Sequence, residues 1–253
     1  MSSVKPNPQV WSEKNLDNPH RVIDKAARVE QMFDAIAPSY DLNNRLHSLW
    51  QDQVWRRNTV KLAQVQSSDT VLDVACGTGD LTMAFAKACP KRALGLDFTV
   101  NMLNVAQKKR PEHSPVPIHY FAGDAMSIPL ADASVDIVSI AFGIRNVVKP
   151  AVAIQEFYRV LRPGGRLLIL EFSLPKNKIL KALYNFYFYH ILPKTATLIA
   201  RDKSGAYRYL PQSVNTFIDR KAMIEMMSAE GFTDTSVTPQ TFGISVIYKG
   251  LKK

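Results

Sequence analysis

The sequence predicts an α/β protein: a doubly wound, mainly parallel seven-stranded sheet, with helices ahead of the first strand and an antiparallel hairpin at the C-terminal end. Three observations predict it. Short apolar runs alternate with helical patterns from Thr70 to Glu230, as parallel strands joined by right-handed crossovers do. The first run, Thr70-Val-Leu-Asp-Val74, stops in a small-residue turn, Ala75-Cys-Gly-Thr-Gly79, and restarts as a helix carrying Leu81, Phe85 and Ala88. Beyond Gly231, two runs alternate at strand spacing with no helix between them.

Residues 1–20 read as a polar arm, expected to be flexible, and residues 21–253 as a single domain. The arm has no apolar centre, so no signal peptide is expected. Over 21–62, apolar residues recur at helical spacing (Val22, Ala26, Val29, Met32, Phe33, Ile36). Pro38 breaks that run, and a second helical stretch carries Leu42, Leu46, Leu49, Trp50 and Val54. Tyr40-Asp41 stands at the break, where it can face a ligand; the tyrosine packing the helix corner is the competing role. After the first strand and its helix comes Arg92-Ala-Leu-Gly-Leu-Asp97, then Phe98-Thr99 and a helix through Met102, Leu103 and Ala106. The third strand, Ile118 to Phe121, leads into Gly123-Asp124-Ala125. The fourth, Val135 to Ala141, opens into Phe142-Gly-Ile-Arg-Asn146. Pro150 starts a helix that Arg162-Pro-Gly-Gly165 stops, feeding a fifth strand from Arg166 to Phe172. An insert, 174–218, interrupts the alternation. Asp219 to Glu230 is then helical with Gly231 as its cap, and strands Thr233 to Thr238 and Phe242 to Lys249 are joined at Pro239-Gln240.

With 253 residues, 46% hydrophobic and 21% charged, the chain suits one large domain. Two cysteines, Cys76 and Cys89, are too few for a disulfide framework and point to a reducing, cytoplasmic setting. No run reaches the about 18 apolar residues of a spanning helix. The net charge of +10 suits nucleic acid, an anionic membrane surface or an acidic substrate. Its distribution is uneven: between Leu174 and Ile218, Lys176, Lys178, Lys181, Lys194, Arg201, Lys203 and Arg208 stand against one acid, Asp202.

Ligands of such sheets sit at the carboxyl ends of the strands, where strand order reverses. That edge gathers Asp73 to Gly79, Asp97, Asp124 and Phe142 to Asn146. Asp97, at the end of the second strand, is placed to accept both hydroxyl hydrogens of a ribose; capping the next helix is the competing role. A bare Gly-x-Gly is most often only a turn, but three strands in succession deliver polar groups to one edge. The third glycine needed beneath a pyrophosphate is absent from Gly77-Thr-Gly79-Asp-Leu-Thr82, and Asp80 at the helix start disfavours phosphate while tolerating a cation. A sulfonium-bearing nucleoside suits this edge better than a dinucleotide. No Cys/His cluster suggests a metal, and His47, His119 and His190 stand singly, as packing or surface residues do.

Val71-Leu-Asp-Val-Ala-Cys-Gly-Thr-Gly79, Gly95-Leu-Asp97, Gly123-Asp-Ala125 and Leu161-Arg-Pro-Gly-Gly165 together resemble the Rossmann-like class I S-adenosylmethionine-dependent methyltransferases. Met32 to Asn44, Ala141-Phe-Gly-Ile-Arg-Asn146, Arg159 to Ser173 and Tyr207-Arg-Tyr-Leu-Pro-Gln212 resemble, more narrowly, the ubiquinone/menaquinone biosynthesis C-methyltransferase family. The resemblance implies S-adenosylmethionine as cofactor, with Asp73, Gly77, Thr78 and Gly79 on its methionine side, Asp97 at the ribose, Asp124 and Ala125 at the adenine, and Phe98 as a further cofactor-binding residue. Asn43 and His47 stand where members often carry apolar residues, and Ala141 where many have serine.

The implied substrate is a prenylated demethylquinol, most closely demethylmenaquinol, with the ubiquinone-pathway benzoquinol next. Its ring carbon becomes nucleophilic when a neighbouring hydroxyl loses its proton. Arg145 stays protonated, so its expected role is to stabilise the developing phenolate, with Tyr40 and Asn146 orienting the ring or a water. An arginine paired to a surface acid is the alternative. The aromatic block Tyr184 to Tyr189, flanked by lysines, suits a lid on a polyprenyl tail that meets an anionic membrane surface from the cytoplasmic side; packing in a core or a homodimer interface is its competing use. Methylation of RNA or another small molecule and a non-catalytic scaffold are the other readings. No nucleic acid is expected, because the basic insert is aromatic rather than arginine-rich.

Overall fold

The structure is a computed structural model that describes residues 10–11, 16–200 and 204–253. Strand β1 (Thr70–Val74) is buried at every position, as a central strand covered on both faces must be. It pairs in parallel with β2 (Arg92–Asp97) on one side and, across the sheet, with β4 (Val135–Ala141). With β3 (Ile118–Ala122), β5 (Leu161–Phe172), β6 (Thr233–Gln240) and β7 (Ser245–Leu251) the order is β3-β2-β1-β4-β5-β7-β6. Strand β7 runs antiparallel to both of its neighbours. The order reverses between β1 and β4, which opens a crevice beyond their carboxyl ends.

Among the described residues three α-helices precede the sheet: α1 (Lys25–Ile36), α2 (Tyr40–Ser48) and α3 (Gln51–Ala63). Helices α4 (Asp80–Ala86), α5 (Val100–Lys109) and α6 (Pro150–Val160) make the crossovers. The insert folds as α7 (Lys178–Phe186), a π-helical turn (Tyr187–Ile191), α8 (Leu192–Ala200) and α9 (Ala206–Asn215), and α10 (Arg220–Ala229) follows. One core lies between the sheet and α6 and α10, around Ile154, Phe157, Met223 and Met227. Another, around Trp55, Phe85, Leu168 and Ile247, covers the opposite face. A third joins α1 to the insert: Met32 and Ile36 pack with Tyr184, Phe188, Leu192 and Tyr209. The insert is therefore built onto the N-terminal helices rather than onto the sheet.

Several boundaries differ from expectation. The second helical stretch is two helices, because Leu49 and Trp50 both take left-handed backbone (φ 50° and 60°), which nothing in bulky apolar side chains announces. Strand β5 begins at Leu161, one residue past α6, although Gly164 supplies positive φ as expected. Pro239 belongs to β6, an edge strand where its missing N–H costs nothing, and the connection is the turn Thr241–Gly243. The polar arm fails at Val10, Trp11 and Leu16, all buried: the Trp11 ring lies 4.4 Å from that of Tyr209, and the Trp11 backbone N–H donates to the Ser204 carbonyl at 3.0 Å. Apolar area outweighed the polar neighbours there. The rest of the arm, 1–9 and 12–15, lies outside the described residues, as do Arg201, Asp202 and Lys203 of the basic insert.

Candidate active site

The crevice at the ends of β1 and β2 is lined by Gly77, Asp97, Phe98, Asp124 and Ala125 together with Tyr40, Met102 and Asn146, and spans about 820 Å³ including the part open to solvent. Asp97 is almost wholly buried. One carboxylate oxygen accepts the Gly77 N–H at 2.7 Å and the other the Thr99 N–H at 2.8 Å. Burial pushes its pKa up, against these backbone donors. Asp97 thus anchors the entry to α5, whose N-terminal cap position is Thr99, and it still faces the crevice, where each oxygen keeps a lone pair. Asp124 accepts the Met126 N–H on one oxygen at 2.8 Å, leaving the other for a ligand.

The other residues expected on the methionine side sit behind this wall. Asp73, 1% exposed, accepts from the hydroxyls of Thr82 and Ser139 at 2.7 and 2.8 Å and lies beneath the turn. The Thr78 hydroxyl donates to Asp41 at 2.6 Å. Gly79 (φ 82°) is needed for packing, since a Cβ there would stand 2.4 Å from the Tyr120 hydroxyl oxygen. Asp80 does not confront a ligand as a bare anion. Lys109 bonds it at 2.6 Å and also bonds Asp41, while Arg45 and Gln53 approach at 3.2 and 3.0 Å. Burial opposes ionisation of Asp80, but Arg56, Lys109 and Arg45 outweigh it and hold its pKa down. This network ties α2 to the glycine turn.

A second cavity, about 1450 Å³ including its open part, adjoins the crevice. Its walls are Trp55, Phe142, Phe172, Tyr184, Phe188 and other apolar groups from α1, α3 and the insert, with Arg145 among them. Phe33, Tyr40 and Phe142 line both spaces. Arg145, on the turn Ile144–Asn146 after β4, is buried. Its Nη1 donates to Glu171 at 2.7 Å and to the Phe142 carbonyl at 2.6 Å, and its Nε to the Ser213 hydroxyl at 3.3 Å. Nη2 makes no hydrogen bond among the described residues. The arginine is paired, then, but with an acid buried in β5 and not with a surface one. Burial pushes the Glu171 pKa up, and the guanidinium counters it. Asn146 lines the crevice, its carbonyl accepting the Tyr209 hydroxyl at 2.8 Å and its amide donating to the Phe142 carbonyl at 3.2 Å. Burial raises the pKa of Tyr40, so its hydroxyl is a donor and not a base. His47 lines the second cavity with Nδ1 3.0 Å from the Tyr187 hydroxyl.

Sequence reasoning missed Glu171, Tyr209 and Ser213; of the pair Tyr40-Asp41, Asp41 is engaged by Thr78 and Lys109. Glu171 left a readable trace, a lone charge in the apolar run Leu167 to Phe172.

The sequence profile of the ubiE/COQ5 methyltransferase family matches residues 21–252. The chain belongs to this family. A ubiquinone/menaquinone biosynthesis C-methyltransferase of Geobacter sulfurreducens is 41% identical, covering 92% of this chain and 91% of the relative. A demethylmenaquinone methyltransferase of Deinococcus radiodurans is also 41% identical, covering 91% and 95%. Among solved structures, an S-adenosylmethionine-dependent methyltransferase of Thermotoga maritima superposes with a TM-score of 0.62 at 18% identity, covering 88% of this chain and 99% of that one. That likeness shows the Rossmann-like methyltransferase fold. Family membership makes the protein an enzyme, a methyltransferase that uses S-adenosylmethionine, and the crevice has the chemistry to hold it. Asp97 offers acceptors for a ribose diol, Asp124 a free carboxylate oxygen for an amine, and Gly77 an open backbone where a Cβ would meet nothing within 4 Å. No helix among the described residues is long and apolar enough to cross a membrane, and no cluster there could hold a metal ion.

Proposed function

We propose that the enzyme methylates a ring carbon of a prenylated demethylquinol, with demethylmenaquinol as the preferred acceptor and the ubiquinone-pathway benzoquinol as the alternative. The carrying observation is that the cofactor crevice and a large aromatic cavity meet at Phe33, Tyr40 and Phe142. The quinone-pathway activities of the relatives support the same acceptor class.

Bound S-adenosylmethionine supplies an electrophilic methyl group. Asp97 takes the ribose hydroxyls, and Asp124 with Ala125 the adenine edge. Phe142, Phe172 and Trp55 hold the acceptor ring flat and keep water out. Arg145 gives its unengaged Nη2 to the ring oxygen on which negative charge develops, while Glu171 keeps the guanidinium from swinging away. Tyr40 and Asn146 orient the ring at the junction. Incubation of the purified protein with labelled cofactor and each demethylquinol in detergent tests this: methylated quinol in the organic phase is expected, and label in neither quinol overturns it.

The acceptor's tail implies a lipid surface, and α7 supplies a matching face. Ile179, Leu183 and Phe186, 72%, 62% and 59% exposed, fall on one side of the helix, with Lys178 and Lys181 exposed beside them. We assign this face to peripheral contact with an anionic bilayer on the cytoplasmic side. A homodimer burying the same residues is the competing use. Vesicles containing phosphatidylglycerol should sediment the protein, and Lys178→Glu with Lys181→Glu should release it. Equal binding to neutral vesicles, or a dimer abolished by Leu183→Glu, would sink the assignment.

A further inference from the structure

Lys25, the first residue of α1, is 2% exposed and makes no ion pair among the described residues. An ammonium buried without a carboxylate survives only when each of its protons has an acceptor. Here each does. Nζ donates to the Arg145 carbonyl at 2.9 Å, to the Val147 carbonyl at 2.7 Å, and lies 3.3 Å from His20 Nδ1. His20 Nε2 lies 2.9 Å from the Ser213 carbonyl, which can only accept, so Nε2 carries the imidazole proton and Nδ1 is free to receive from Lys25. The circuit closes through the catalytic arginine, because Arg145 Nε donates to the hydroxyl of the same Ser213.

We propose that Lys25, with His20, is a positioning device for Arg145 and Asn146. It pins the carbonyls of the turn that carries both residues, and it links that turn to α1 and, through Ser213, to the insert. The Arg145 carbonyl belongs to the helical turn Ile144–Asn146 and the Val147 carbonyl to the extended residue that closes it, and Lys25 donates to both. Lys25 lines neither cavity, so it acts through the turn and not on the substrate. The buried surroundings hold the His20 pKa near 4, consistent with its neutral tautomer. Arg145 is thereby fixed at three places: its carbonyl by Lys25, its Nε by Ser213 and its Nη1 by Glu171.

The proposal rests on Arg145 acting at the acceptor ring, and a double-mutant cycle tests it. Lys25→Met should lower kcat about tenfold or more while changing KM for the quinol and the cofactor by less than about threefold. In the Arg145→Ala background the same change should cost less than about twofold, since the positioned group is gone. Equal losses in both backgrounds overturn the proposal. His20→Gln, which leaves the Lys25 ammonium in place, should follow the same non-additive pattern with a smaller loss, and it carries the test if Lys25→Met fails to fold. Should the wild type methylate neither quinol, the functional reading fails by itself. Amide hydrogen exchange over residues 144–148 of the full-length protein then still decides, because either variant should speed it there while leaving α10 unchanged. Unchanged exchange in the turn refutes the positioning role.

Discussion

The crevice at the strand ends and the aromatic cavity beside it each rest on a buried carboxylate, and they satisfy it in different ways. Beneath the glycine turn, Asp73 is held by two hydroxyls, with no cation bonded to it among the described residues. Beside the aromatic cavity, Glu171 is held by the guanidinium of Arg145 and by the Phe172 N–H at 2.8 Å. Hydroxyls can turn to serve either a charged or a neutral partner, whereas a guanidinium demands an anion. The first arrangement suits a wall whose task is shape. The second suits a site that must keep a charged donor at a fixed place for a reacting oxygen.

The contrast breaks most visibly at Glu171. Glu171→Ala leaves Arg145 buried and uncompensated, and the expected loss of stability is about 3–5 kcal/mol, read by urea unfolding. Cofactor affinity should stay within about threefold in the folded fraction, because the crevice is built from other strands. A stability loss under about 1 kcal/mol would mean that the ion pair is not holding the turn. Next is Asp97→Ala. It removes the acceptor that faces the crevice and also the anchor for the Gly77 and Thr99 N–H groups. Cofactor binding by calorimetry should weaken about 100-fold, while the acceptor side stays intact. A change below about fivefold would place the ribose elsewhere.

The two regions were also unequally legible. The crevice is made at strand ends, where period, glycine and acid coincide within a few residues, so Gly77, Asp97 and Asp124 could be read from local pattern. What local pattern could not show is which of the conspicuous residues face outward: Thr78 and Gly79 turn toward Asp41 and Tyr120. The aromatic cavity joins residues far apart in the chain. Arg145 meets Glu171 and Ser213, and Asn146 meets Tyr209, through a core that packs the insert onto α1. No spacing encodes such meetings. The aromatic block shows the limit well: of its side chains Tyr184 and Phe188 are buried while Phe186 and Tyr189 are exposed, a division set by the helix against which they lie.

The smallest expected effect sharpens the comparison from the cofactor side. Burial raises the Asp73 pKa to about 6, with the Thr82 and Ser139 hydroxyls opposing the rise. The folded-state value lies above the unfolded one of 3.8, so between pH 3.8 and about 6 the folded protein holds the extra proton. Stability from this group is therefore full below pH 3.8 and is lost as pH rises through about 6. Asn at position 73 keeps the shape, accepts from one hydroxyl, donates to the other and never ionises. Asp73→Asn should gain about 1–2 kcal/mol over the wild type at pH 7.5, with the difference shrinking toward zero near pH 4. Urea unfolding of the two proteins across that range isolates the term, since other groups titrate alike in both. A difference that does not vary with pH would mean that Asp73 stays ionised in the fold, and that hydroxyls alone can hold a buried carboxylate as firmly as Arg145 holds Glu171.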